Sequence, residues 1–201
     1  MNDVLPSASS ADLHNAPEAR PSVARLPYKH PVFLVGMMGA GKTTIGRALA
    51  RVLRREFLDL DHEIEARCGV RIAHIFDVEG EEGFRRREQS VLQECSDKPD
   101  LVLATGGGAV LSEENRACLK GRGVVVYLRA TPEELYRRVA RDRSRPLLQT
   151  PNPQQRVRDL LAQREPLYEE VADIVFDTGN LPIQHVVKAL IPLLQNYQVK
   201  E

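Results

Sequence analysis

Residues 36 to 43 read Gly36-Met37-Met38-Gly39-Ala40-Gly41-Lys42-Thr43, preceded by the apolar run Val32 to Val35 and followed by a helix-like stretch from Lys42 to Arg54. The spacing is G-x-x-x-x-G-K-T, a phosphate loop joining a strand to a helix. Gly36, Gly39 and Gly41 permit a tight turn whose successive N–H groups point inward at phosphate oxygens. The helix behind them adds its positive N-terminal end. Lys42 reaches the β- and γ-phosphates as a point charge, and the hydroxyl of Thr43 suits Mg²⁺. Small residues are common in strand-to-helix turns for steric reasons alone, but here strand, loop, Lys-Thr pair and helix occur together. They point to a nucleoside triphosphate site.

Outward from the loop, short β-branched runs alternate with helical patterns. Strands are expected at Val32 to Gly36, Phe57 to Asp61, Leu101 to Thr105, Val124 to Arg129 and Ile174 to Asp177, five buried parallel strands in all. Helices are expected at about 42 to 54, 79 to 96, 113 to 120, 131 to 142, 154 to 171 and 183 to 197. Thr131, Pro132 and Glu134 form a helix start with a capping box. Pro192 is expected to kink the last helix or end it early. The alternation implies an α/β fold, a three-layer α/β/α sandwich with right-handed crossovers, in which ligands bind beyond the carboxyl ends of the strands.

The chain has 201 residues, enough for one domain with one core. Lys plus Arg and Asp plus Glu number 28 each, so net charge suggests neither a nucleic-acid nor a membrane partner. Cys68, Cys95 and Cys118 are odd in number and far apart, without a C-x-x-C, which argues against a disulfide framework and a zinc site and for a cytoplasmic protein with reduced thiols. There is no apolar run of membrane-spanning length and no secretory leader pattern. Residues 1–30, with Pro6, Pro17, Pro21 and Pro27, read as a flexible extension. A transit peptide is the alternative, weakened by Asp3, Asp12 and Glu18.

Phosphate loops serve switches, motors and kinases, so the acceptor must be sought elsewhere. Phe57-Leu58-Asp59-Leu60-Asp61 ends the second strand with two carboxylates two apart, expected on one face of that strand, where one can orient Mg²⁺ and the other accept a proton. The plain alternative is a solvated turn with a helix cap. In Glu82-Gly83-Phe84-Arg85-Arg86-Arg87-Glu88, Arg85 and Glu88 are i and i+3 on a helix, so Glu88 can hold Arg85 for bidentate capture of a carboxylate, or the two form an ordinary surface pair. Gly106-Gly107-Gly108 directly follows a central strand, more glycine than a turn requires. Six arginines between Arg129 and Arg145 are interspersed with Glu133, Glu134 and Asp142, which disfavours a nucleic-acid patch.

In order, GMMGAGKTTIGRALA, FLDLDHEIE, GEEGFRRRE, ATGGGAV, RSRPLL and REPLYEEVAD resemble the motifs of shikimate kinases, from about residue 31 to about residue 178. The resemblance implies a P-loop fold of the nucleoside monophosphate kinase type, with a shikimate-binding region at about 61–97, a mobile lid at about 141–153 and a single domain over 31–201. It implies transfer of a phosphoryl group from ATP, with Mg²⁺, to the 3-hydroxyl of shikimate in chorismate and aromatic amino-acid biosynthesis, by a monomeric enzyme. It makes Gly39, Ala40, Gly41, Lys42, Thr43 and Thr44 the triphosphate cradle, and Thr43 and Asp59 the metal residues. Asp61 becomes a shikimate ligand and base, Arg85 and Arg164 a clamp on the shikimate carboxylate, and Gly107 a backbone donor. Arg145 is placed on the phosphates and Arg138 against adenine. Gly179-Asn180-Leu181-Pro182 matches no adenine-contacting motif.

A gluconate kinase of the same fold is the nearest rival, since its acceptor also carries a carboxylate and hydroxyls. A GTP switch is a rival of another class. Asp77-Val78-Glu79-Gly80 matches D-x-x-G, but no sheet strand is expected before it and no N-K-x-D occurs. A regulatory domain without activity would be expected to lack Lys42 or Asp61, and both are present.

Overall fold

The computed structural model describes residues 24–140, 148 and 150–198. Arg145 and most of the segment read as a lid lie outside the described residues. Five parallel strands, β1 (Val32–Val35), β2 (Glu56–Asp59), β3 (Leu101–Ala104), β4 (Val124–Arg129) and β5 (Ile174–Asp177), form one sheet in the order β2-β3-β1-β4-β5. Every residue of β1 and β3 is buried, whereas β2 and β5, at the edges, are partly exposed. That is the burial expected of a parallel sheet covered on both faces.

The helices are α1 (Lys42–Leu53), α2 (Leu60–Cys68), α3 (Ile72–Ser96), α4 (Glu113–Arg122), α5 (Pro132–Val139), α6 (Pro153–Val171) and α7 (Ile183–Gln195). α1 packs beside α7, while α4 packs against α3 and α6. The capping box of α5 forms as expected: Thr131 Oγ1 accepts from the Glu134 amide at 3.3 Å and Glu134 Oε2 accepts from the Thr131 amide at 2.9 Å. α7 does not end early at Pro192 but continues to Gln195. Among the described residues no helix is long and apolar enough to cross a membrane.

Register sets where the functional segments emerge. Ala104 is the partner of both Leu34 and Asp59, so the segments after β1, β2 and β3 leave the sheet at one edge, its carboxyl end. β1 lies in the middle with β3 on one side and β4 on the other, which opens a crevice above it.

Expected element boundaries, and the expectation for one terminal segment, need correction. The second strand does not reach Asp61. It stops at Asp59, whose carboxylate accepts from the amides of Asp61 at 3.1 Å and His62 at 3.4 Å and so starts α2, a helix not anticipated. Capping, rather than strand alternation, therefore places Asp61, in the first turn of a helix. α3 likewise begins earlier than expected, at Ile72, and is interrupted at Gly80 (φ 69°, ψ −175°), a conformation suited to glycine. The D-x-x-G match thus falls at a helix break.

The second correction concerns residues 24–30, read as part of a flexible extension. Ala24, Leu26 and Tyr28 alternate with exposed residues and pack on the core. The Ala24 amide donates to Val52 O at 3.2 Å, the Asp100 amide to Lys29 O at 2.8 Å, and Arg55 Nη1 to His30 O at 2.7 Å. Tyr28 donates its hydroxyl to Leu194 O at 3.0 Å, lies under the Arg55 guanidinium and meets Tyr197 edge-on at 6.5 Å. Burial pushes its phenol up to about 12, so the hydroxyl remains a donor. Tyr28→Ala is expected to cost about 2 kcal/mol and lower Tm by several degrees while leaving kcat unchanged, as measured by thermal denaturation alongside an activity assay. An unchanged Tm would mean that this strap contributes nothing to the fold.

Candidate active site

Each of the three glycines after β3 has a different neighbour where its side chain would be. A Cβ on Gly106 would lie 2.8 Å from both Asp61 Oδ1 and Glu88 Oε1. On Gly107 it would lie 3.4 Å from Met38 N of the phosphate loop and 3.7 Å from Arg164 Nη1. On Gly108 it would lie 2.5 Å from Arg85 Nη2. The turn is thus the common floor on which two carboxylates, two guanidinium groups and the phosphate loop converge.

On one side of this floor stands the loop itself. Gly36, Gly39 and Gly41 have φ of 141°, 81° and 93°, and the first two are also closed to a Cβ by Leu128 O at 2.7 Å and Val139 Cγ1 at 2.8 Å. Gly41 heads α1 with no side-chain cap, so the first amides of that helix remain directed into the loop. Lys42 Nζ donates to Gly36 O at 2.8 Å and Met37 O at 3.0 Å, which holds the ammonium across the loop. Ala40 is buried beneath it and Thr44 is exposed on the first turn of α1. Thr43 Oγ1 donates to Asp59 Oδ2 at 2.6 Å. A hydroxyl and a carboxylate so close offer the hard oxygen donors that Mg²⁺ takes alongside phosphate oxygens and water, and no cluster of three or more His, Cys, Asp or Glu among the described residues offers another kind of metal site.

Arg138 closes the far side of the loop. Its Nη1 donates to Gly39 O at 3.1 Å and Thr178 Oγ1 at 3.3 Å, and its Nη2 donates to Gly179 O. Arg137 bonds Asn180 Oδ1. The turn that sequence motifs left without a place is therefore tied to the phosphate loop through α5.

Across the floor, Arg85 Nη1 donates to Glu88 Oε2 at 2.6 Å and Nη2 to Glu81 Oε1 at 3.1 Å, with the guanidinium 5.2 Å from the Phe84 ring. Arg164 is 4 % exposed, and its Nη1 donates to Gly107 O at 3.3 Å. Glu88 is fully buried, and its Oε1 has no hydrogen-bond partner among the described residues, nor has Arg164 Nε. Buried polar atoms left in that state in a cleft mark places where a polar ligand or water completes the pairing. Burial lowers the proton affinity of Arg85, but Glu88 and Glu81 outweigh it and raise its pKa. At Glu88 burial dominates, because only one oxygen is paired, and with Asp61 nearby it raises the carboxyl above its ordinary value despite Arg85 and Arg164.

The structure places Thr43, next to Lys42, against Asp59, and gathers Asp61, Arg85 and Arg164 around Gly106, Gly107 and Gly108. Glu88 is more than a brace for Arg85, since its second oxygen lies against Gly106 of the glycine turn. Glu81 is a further arginine partner, four residues before Arg85, a helical spacing visible in the sequence. Tyr168 belongs to the same REPLY stretch as Arg164, one helical turn on, and has no sequence signal of its own.

A phosphate loop heading a central parallel strand, with carboxylates and arginines gathered on a glycine turn beside it, defines a P-loop phosphotransferase for a small acidic acceptor. The family model described as shikimate kinase matches residues 38–195. A shikimate kinase of Bordetella pertussis is 59% identical over 199 residues, which is 99% of this chain and 94% of that protein. The solved structure of a shikimate kinase from Acinetobacter baumannii in complex with shikimate superposes with a TM-score of 0.82 at 49% identity, covering 86% of this chain and 96% of the other. A gluconokinase from Sinorhizobium meliloti, at 14% identity and TM-score 0.53, shares the fold alone. The chain belongs to the shikimate kinase family. Its activity is that of a shikimate kinase, with ATP as phosphoryl donor, in aromatic amino-acid biosynthesis.

The raised Glu88 carboxyl gives a pH signature. A group whose folded pKa lies above its unfolded value of 4.5 contributes stability below that value and loses it as pH rises through the folded one. The stability of the wild type relative to Glu88→Gln should therefore be greatest below pH 4.5 and decline above it, as measured by chemical denaturation across pH. A difference that grows with pH would mean that Arg85 outweighs burial.

Proposed function

We propose that the phosphoryl group passes to the 3-hydroxyl of shikimate in the space between the phosphate loop and the glycine turn, with Asp61 as hydroxyl ligand and base. The observation that carries this reading is the convergence of Asp61, Arg85 and Arg164 on three successive glycines whose middle member lies against Met38 of the loop. A small acceptor with a carboxylate at one end and hydroxyls at the other fits such a floor. Arg85 and Arg164 take the carboxylate through charge-assisted hydrogen bonds, and the Gly107 backbone adds a donor. Asp61, beside Gly106, takes the hydroxyl end. The bound shikimate of the Acinetobacter baumannii relative supports the acceptor's identity.

In phosphoryl transfer the protein mainly positions the reactants in line and neutralises charge on the moving group. Here Gly39, Ala40, Gly41 and Thr44 supply backbone donors and Lys42 a charge, and Arg138 borders the adenine side. When bound by Thr43 and Asp59, Mg²⁺ would offset negative charge on the phosphates. Asp61 orients the acceptor oxygen and receives its proton. Arg145, in a lid at about 141–153, adds a further charge over the transferring group. The enzyme works as a cytoplasmic monomer whose residues 61–97 form the acceptor half.

Asp61→Asn should lower kcat by about a hundredfold or more with little change in ATP affinity, because positioned bases commonly contribute 10²- to 10⁴-fold. A coupled assay with ATP and either shikimate or gluconate measures it, and the same assay reads Arg145. Turnover near that of the wild type would remove Asp61 from the mechanism, and preference for gluconate would reassign the acceptor.

A further inference from the structure

Tyr168 lies in α6 one turn beyond Arg164 and is completely buried, with its ring stacked on Tyr127 at 5.0 Å. Its hydroxyl donates to Gly107 O at 2.5 Å, the same oxygen that Arg164 Nη1 reaches at 3.3 Å. One carbonyl of the glycine turn thus has two donors, a short one from a tyrosine and a long one from the arginine proposed to bind substrate. Burial holds the phenol well above its ordinary pKa, so it remains a proton donor, although the Arg164 charge acts in the opposite direction.

We propose that Tyr168 is a positioning residue for the acceptor site, which holds the Gly107 carbonyl on its own when Arg164 turns to the substrate carboxylate. A half-buried carbonyl that loses its last donor is costly, so an arginine serving as its sole partner would be bound to the turn and reluctant to leave it. With Tyr168 in place, Arg164 can exchange its long bond to Gly107 for a charge-assisted one to a carboxylate. The turn stays in register, and the orphaned Arg164 Nε gains an acceptor on the same ligand. Tyr168 touches no reacting atom and acts through Gly107 and Arg164. This inference rests on the proposed role of Arg164.

The test is steady-state kinetics on Tyr168→Phe, Arg164→Ala and the double variant, each checked for folding by thermal denaturation. Phenylalanine preserves the stack on Tyr127 and removes only the donor. Tyr168→Phe should raise KM for shikimate about 5-fold or more, as expected for a half-buried carbonyl deprived of its partner, while KM for ATP stays within about twofold. In the Arg164→Ala background the same change should have little further effect on shikimate KM, because the two residues act on one carbonyl. Equal rises in both KM values, or full additivity with Arg164→Ala, would show a general packing role and overturn the proposal. If Arg164→Ala leaves shikimate KM unchanged, the acceptor-site reading itself fails. If Arg164→Ala raises it and Tyr168→Phe does not, only the role of Tyr168 fails. Should Tyr168→Phe not fold, 3-fluorotyrosine at position 168, nearly isosteric and a stronger donor, should leave shikimate KM at or below the wild-type value, and a rise would overturn the proposal.

Discussion

The absence of side chains at Gly106, Gly107 and Gly108 is the constraint on which the rest of the site depends. Asp61 and Glu88 occupy the space a methyl on the first would need, and Arg85 occupies that of the third. The second lies against the phosphate loop on one side and Arg164 on the other. Elements distant in sequence, α2, α3 and α6, can therefore bring charged groups to one floor because the floor has no side chains of its own. Parallel register completes the arrangement, since Ala104 pairs with both Leu34 and Asp59 and all three strands end together.

Asp59 links the two halves of the site. Its Oδ2 takes the Thr43 hydroxyl of the phosphate loop, while its Oδ1 caps α2 and so positions Asp61. One carboxylate thereby couples the place where phosphate is expected to bind to the place where the acceptor is expected to bind. A cap and a metal residue were competing readings of this aspartate, yet a carboxylate has lone pairs enough for both. Arg138 does the equivalent on the other flank, joining Gly39 to the turn after β5.

Much of this was legible in the sequence. The loop's glycines encode their own backbone angles, and the five strands are apolar runs bounded by turn residues. What escaped depended on tertiary context. α2 is a polar helix with Leu60 and Ile64 as its buried residues, too sparse a stripe to register as amphipathic, and its start is set by a cap that looks like the end of a strand. The strap from Ala24 to Tyr28 has period-two alternation over only five residues, among prolines that suggest a loose segment, and its burial arises from Arg55, Leu194 and Tyr197 elsewhere in the chain. Glu88 and Tyr168 have ordinary helical spacing to their arginines; nothing local discloses that one is fully buried with an unpaired oxygen and the other holds a backbone carbonyl.

For Arg85 to take the acceptor carboxylate as proposed, the glycine turn must keep its guanidinium in place. Gly108 has φ −101° and ψ 0°, angles that alanine accepts, so Gly108→Ala introduces no backbone strain and displaces only the guanidinium 2.5 Å from the new methyl. Titration calorimetry of this variant with shikimate and, separately, with an ATP analogue tests this requirement directly. Shikimate affinity should fall at least about tenfold, as loss of a charge-assisted pair implies, with nucleotide affinity unchanged. Unaltered shikimate affinity, or an equal loss for both ligands, would contradict it.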